Sequence, residues 1–121
     1  MPHKIRVDIL DLEEMDANIY YGVNMNYQGK PFTGFALDGY YPNGQVAGEI
    51  EYVDGEQMGW LLDYYENGML EREALCYGQA TVFFQTFDKE GNKTFGGFLD
   101  DHLLQKICDI TGENPENVVE E

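Results

Sequence analysis

The chain reads as mainly β: an antiparallel meander of β-hairpins closed by a C-terminal α-helix. Three observations give that class. Turn glycines recur at Gly44, Gly68 and Gly91, 24 and 23 residues apart, so one hairpin-sized unit is written more than once. The segments between the turns alternate apolar and polar residues with period two. Only "DDHLLQKICDITG" changes to the helical period.

The elements follow in chain order. Ile5, Val7 and Ile9 alternate with charged residues and predict a first strand. The acidic stretch "DLEEMD" reads as a linker, and "IYYGVNMNYQGK" as a further strand that turns at Gln28-Gly29. Gly34-Phe35-Ala36-Leu37-Asp38-Gly39-Tyr40-Tyr41-Pro42-Asn43-Gly44 aligns with Gly59-Trp60-Leu61-Leu62-Asp63-Tyr64-Tyr65-Glu66-Asn67-Gly68 once Gly39 is treated as an extra residue. Val82-Phe83-Phe84-Gln85-Thr86-Phe87-Asp88-Lys89-Glu90-Gly91 is a worn third copy. Asn43-Gly44 and Asn67-Gly68 predict primed hairpin turns, because both residue types tolerate positive φ. Asp54-Gly55 and Tyr77-Gly78-Gln79 supply the turns between copies, giving about six to eight strands at two per hairpin.

Within a copy, Val46, Ile50 and Tyr52, then Leu70, Ala74 and Cys76, form one buried face, with Glu49, Glu51, Glu71 and Glu73 opposite them. Gly39 predicts a bulge that returns Tyr40 to the face of Phe35 and Leu37. Trp60, Tyr40, Tyr64, Phe35 and Phe83 are read as core aromatics, with an exposed binding platform as the alternative. In the last segment Leu103, Leu104, Ile107 and Cys108 make a helical stripe, Asp100 is the expected N-cap and Gly112 the stop. Asn114-Pro115-Glu116 predicts a second short helix. The whole is expected to be one domain, with N-terminal strands and acidic loop over 1–29, hairpin repeats over 30–98 and a helical segment over 99–121.

Composition narrows the function. The formal charge of -16, from 23 acidic and 7 basic residues, repels phosphate backbones and anionic lipid, so neither nucleic acid nor a membrane surface is the expected partner. A cationic protein is its natural complement. The N-terminal "MPHKIRVDILDLEEMD" lacks the apolar core of a signal peptide and no run is long enough to span a membrane, which predicts a cytoplasmic address. Cys76 and Cys108 have no CxxC spacing and read as reduced core residues.

Enzymatic and cofactor patterns fail on chemistry. Gly29-x4-Gly34 has phosphate-loop spacing, yet Phe35 and Ala36 stand where lysine and a hydroxyl are required. His3 and His102 have no partner at ligand spacing, and the acids from Asp11 to Asp16 lack the glycine and terminal glutamate of a calcium loop. No catalytic residue, cofactor or metal is therefore expected.

Residues 30–73 carry a motif that resembles a known family. Thr33-Gly34, Tyr40-Tyr41-x-Asn43-Gly44, Glu49-x-x-Tyr52-x-x-Gly55, Gly59-Trp60 and Tyr64-Tyr65-x-Asn67-Gly68 are similar to the variant MORN repeat (membrane occupation and recognition nexus) of bacterial antitoxin-like and immunity proteins. The resemblance implies an open antiparallel meander and neutralisation of a partner protein. Joined to the charge, it predicts an immunity or antitoxin-like protein that blocks a basic effector, such as a nuclease toxin, by occlusion and electrostatic steering. The residues expected at that contact are Glu49, Glu51, Glu71, Glu73, Asp38, Asp63 and Trp60. A MORN-like scaffold that joins other proteins is the alternative.

Overall fold

A computed structural model describes residues 4–18 and 22–118. Its strands are β1 (Arg6–Asp8), β2 (Glu13–Asn18), β3 (Gly22–Tyr27), β4 (Lys30–Pro31), β5 (Gly34–Leu37), β6 (Gly48–Val53), β7 (Glu56–Tyr64), β8 (Leu70–Tyr77), β9 (Ala80–Phe87) and β10 (Lys93–Phe98), followed by helix α1 (Leu104–Thr111). Seven strands form one sheet in the order β1-β5-β6-β7-β8-β9-β10, and β2-β3-β4 form a second, smaller sheet. The fold is thus the mainly β class the repeats predict, with more strands than expected and in two sheets.

The additional strands lie at the N-terminus. The stretch expected as an acidic linker is strand β2, which pairs antiparallel with β3, while Ile9–Asp11 is a turn of 3-10 helix instead of the end of the first strand. Alternation alone does not distinguish a charged edge strand from a linker, because an edge strand with both faces wet carries no apolar stripe.

The large sheet is buried on both faces, at opposite ends. Paired residues share a face, so Trp60, Leu75 and Phe83 lie together across β7, β8 and β9. Met58, Leu75, Val82 and Phe83 meet Ile107, Cys108 and Val118 there, under α1. On the other face Ala36 and Tyr52 pack with Leu12, Met25 and Phe32 of the small sheet and its approach. The expected single buried face accounts for only the second of these cores. The helical stripe does bury Ile107 and Cys108, and Gly112 ends the helix at φ 79°, its N–H donating to the Cys108 carbonyl. Asp100 makes no side-chain cap, whereas Asn114 accepts from the Glu116 N–H at the start of the expected short helix, a 3-10 turn.

The turns divide into two chemistries. Gln28 (φ 53°) with Gly29 (φ 80°), and Asp54 (φ 50°) with Gly55 (φ 86°), form two-residue primed loops, and Gly78 (φ 60°) with Gln79 closes a third between the paired Tyr77 and Ala80. Asn43 and Asn67 do not: among the described residues no other non-glycine has positive φ. Instead Tyr41 donates to the Gln45 carbonyl at 2.8 Å and Gly44 to the Tyr41 carbonyl at 2.9 Å, a type I turn followed by a left-handed glycine. Tyr65 to Met69 and Asp88 to Asn92 repeat the same bonds. The asparagine is selected by another duty: its Oδ1 accepts from the backbone two residues on, at 3.0 Å for Gln45 and 2.9 Å for Met69.

The bulge expected at Gly39 lies elsewhere. Leu37 pairs with Glu49 and Tyr40 with Val46, so the two strands of the first copy stay in step. In the second copy Asp63 pairs with Arg72 but Tyr64 with Leu70, leaving the surplus residue on β8. Gly39 therefore fills the place that is vacant in the second copy, its carbonyl accepting from Ala47 at 2.9 Å.

Candidate functional site

The two copies bring equivalent glycines, Gly34 and Gly59, to positions where a side chain would collide. A Cβ on Gly34 would lie 2.5 Å from the Ile5 carbonyl oxygen, and one on Gly59 2.1 Å from Oε1 of Glu51. The missing atoms let β1 approach β5 and let the Glu51 carboxylate turn inward. There Oε1 of Glu51 accepts from the Trp60 backbone N–H at 3.0 Å, and its other oxygen pairs with the Lys4 ammonium. Glu49 is built in parallel, accepting from the Tyr64 hydroxyl at 2.5 Å and from the Arg6 guanidinium. Both cations pass Phe35, at 5.9 Å from the ring centre for Lys4 and 5.4 Å for Arg6.

These carboxylates are inside the molecule. Glu51 is 1% exposed and Glu49 5% exposed. Burial lifts the Glu51 carboxyl above its ordinary range, against the opposing pull of Lys4 and the Trp60 N–H. Burial first, then the bond to Glu49, pushes the Tyr64 phenol up. The row continues across the sheet: Glu49 faces Leu62, Leu62 faces Glu73, and Glu73 faces the buried Gln85, whose Nε2 donates to it at 2.9 Å. At the α1 end the Trp60 indole N–H points to Glu113 at 3.3 Å.

The seven residues expected at a partner contact are therefore not one surface. Glu49 and Glu51 are buried and internally paired, a correction to the reading of an exposed acidic ladder. The physical reason is Lys4 and Arg6, whose charges allow the acids to be covered. Glu71, Glu73, Asp63 and Trp60 are half-buried, and Asp38 is exposed. Burial raises the Asp63 carboxyl although Arg72 opposes it. Trp60 packs against the core under α1, the role preferred for the aromatics, whereas Tyr40 is 50% exposed.

The exposed acids concentrate at the N-terminal end. Asp11, Glu13, Glu14 and Asp16 are exposed on the 3-10 turn and on β2, together with Leu10 at 88% and Met15 at 52%. Tyr40 joins this region, for Asp8 and Asp11 raise its phenol after desolvation does. A recess of about 530 Å³ lies along the stacked turns and is lined by Tyr41, Asn43, Tyr65, Glu66, Asn67 and Lys89. Its walls are tied together: Tyr41 donates to the Tyr64 carbonyl and Tyr65 to that of Phe87, at 2.7 and 2.8 Å, while Asn43 and Asn67 reach Glu66 and Lys89.

Cys76 and Cys108 are free, buried thiols that burial pushes up, as their reading as core residues expects. His102 is exposed and His3 lies outside the described residues. Among the described residues no cluster of His, Cys, Asp or Glu could hold a metal ion, and no helix is long and apolar enough to cross a membrane. Lys4 and Arg6 are the site residues that sequence reasoning overlooked, although two of only 7 basic residues at positions i and i+2 of an alternating segment were a usable signal. Comparison with family models, with curated proteins and with solved structures finds no match.

Proposed function

We propose that this protein is a non-catalytic, immunity or antitoxin-like binder that blocks a basic effector, a nuclease toxin being the case that suits its charge. The observation that carries the reading is the N-terminal patch, where Asp11, Glu13, Glu14 and Asp16 surround the exposed apolar side chains of Leu10 and Met15. Apolar anchors within a charged rim are the anatomy of a protein interface, and a charge of -16 accelerates encounter with a cationic partner. The carboxylates would meet the Lys and Arg residues that otherwise hold phosphates, and the bulk of the sheet would occlude the cleft. The resemblance of the repeats to variant MORN hairpins supports the same assignment.

A scaffold function is favoured by a different observation. Strand β10 closes the order of the large sheet, and Phe95, Phe98 and Leu99 on or beside it are 68%, 38% and 65% exposed. Such an edge can add a strand from another protein.

Pull-down from the native host, repeated with three neutralised variants, separates the readings. Replacing Asp11, Glu13, Glu14 and Asp16 by their amides is expected to slow association with a basic effector about tenfold at low salt, with dissociation changed less. Parallel sets neutralise Glu71 with Glu73, and Glu116 with the carboxyl tail. In cells that express the toxin, full protection with all three sets neutralised together would overturn electrostatic blocking. Recovery of a neutral partner that is lost on Phe95→Ser would establish the scaffold instead.

A further inference from the structure

Strand β1 differs from the rest of its sheet. It is 3 residues long and runs parallel to β5, whereas the other pairings of that sheet are all antiparallel. It is not joined to its neighbour by a hairpin, because the small sheet intervenes in the chain. Its outward parts are wet: Ile5 is 49% exposed and the Arg6 side chain 55%. The carboxylates it covers are buried with it in place, Glu51 at 1% and Glu49 at 5% exposed.

Each carboxylate that receives β1 also holds one hydrogen-bond donor that β1 does not supply. The Glu49 carboxylate is oriented by Tyr64 and the Glu51 carboxylate by the Trp60 N–H, both donors from β7. Gly34 leaves room for an incoming carbonyl, and the Phe35 N–H donates to that carbonyl, from Ile5, at 2.8 Å. Residues i and i+2 of any strand project to one side, about 7 Å apart, so Lys4 and Arg6 match two acids that are themselves i and i+2 on β6. Phe35 stands between the rows as a ring under both cations.

We propose that the β5 edge is a receptor for an extended basic segment with cations two residues apart, and that β1 is its resident occupant, displaced when a partner protein presents such a segment. Backbone pairing then supplies adhesion and the two carboxylates supply the choice of sequence. The tethered strand competes at a high effective concentration, so only a segment with more contacts than β1, or one offered while β1 is weakened, takes its place. This rests on the reading of a basic protein partner, but exchange can be measured with no effector present.

The probe is a fluorescent peptide of residues 4–12, added in trans to the intact protein and to Lys4→Ala/Arg6→Ala. Binding is expected to be tighter to the double variant by about tenfold or more, because its own strand has lost both ion pairs. A peptide with alanine in place of both cations should bind neither protein. Equal affinity of the basic peptide for wild type and folded variant, or no binding to either, overturns the proposal. If the double variant fails to fold, hydrogen exchange of the wild type decides: the Phe35 amide should open well below global unfolding, and exchange in step with the amides of β7 and β8 overturns it. Peptide exchange without any basic effector in host pull-downs would leave the receptor standing and the proposed function fallen. An effector still bound at saturating peptide would do the reverse.

Discussion

Single atoms decide much of the site, and Gly59 is the sharpest case. A side chain there meets the Glu51 carboxylate at 2.1 Å and Thr111 at 3.0 Å, on a backbone with φ 105°. Gly59→Ala is therefore expected to cost about 3 kcal/mol, against about 1 kcal/mol for Gly44→Ala, which has a left-handed φ but open space around it. Urea unfolding of the two variants checks the ranking, and equal costs would remove the collision argument. Asp88 gives a pH test. Backbone N–H groups, first that of Asn92, hold its carboxyl below the ordinary 3.8. A lowered acid contributes stability that is present above the unfolded value and lost as the pH falls through the folded one. Amide shifts of Glu90 and Asn92 should thus move below about pH 3.8, while those of Gln45 and Met69, held by neutral asparagines, stay in place.

At the scale of elements, the turns are stitched to one another and not merely closed on themselves. Tyr41→Phe removes the bond to the Tyr64 carbonyl and is expected to cost about 1 kcal/mol by thermal melting, with Tyr65→Phe moving in the same direction. No change in either would mean that the stacked turns are independent. The period, the turn positions and the C-terminal helix were legible because each leaves a local signature: glycine, asparagine, a switch of spacing. The type I turn with its left-handed glycine was not, since Asn-Gly serves a primed loop and this turn equally well. Strand β2 was illegible for a related reason, having no buried face to impose alternation. The burial of Glu49 and Glu51 depends on cations 43 and 47 residues away, a pairing that periodicity within one strand cannot reveal.

For the whole molecule, opposite ends of one sheet are covered on opposite faces, by α1 on one and by β2, β3 and β4 on the other. The acids left outside repel one another, and the net charge of -16 opposes compaction. Raising salt from near zero to physiological levels should raise the melting temperature, as screening weakens that repulsion while the mostly covered pair of Lys4 with Glu51 is screened little. A fall on adding salt would mean that surface ion pairs dominate. Nothing in the stack of turns fixes how many there must be. Each hydroxyl reaches for a carbonyl one period further on, until Asp88 stands in the place of tyrosine, its carboxylate accepting from Glu90 and Asn92 of its own turn, and the series ends. Inserting a second copy of residues 45–68 after Gly68 should accordingly yield a folded chain one hairpin longer, with a cooperative melt. Length then becomes a quantity that gene duplication can set in whole rungs, enlarging the contact face without redesigning either end.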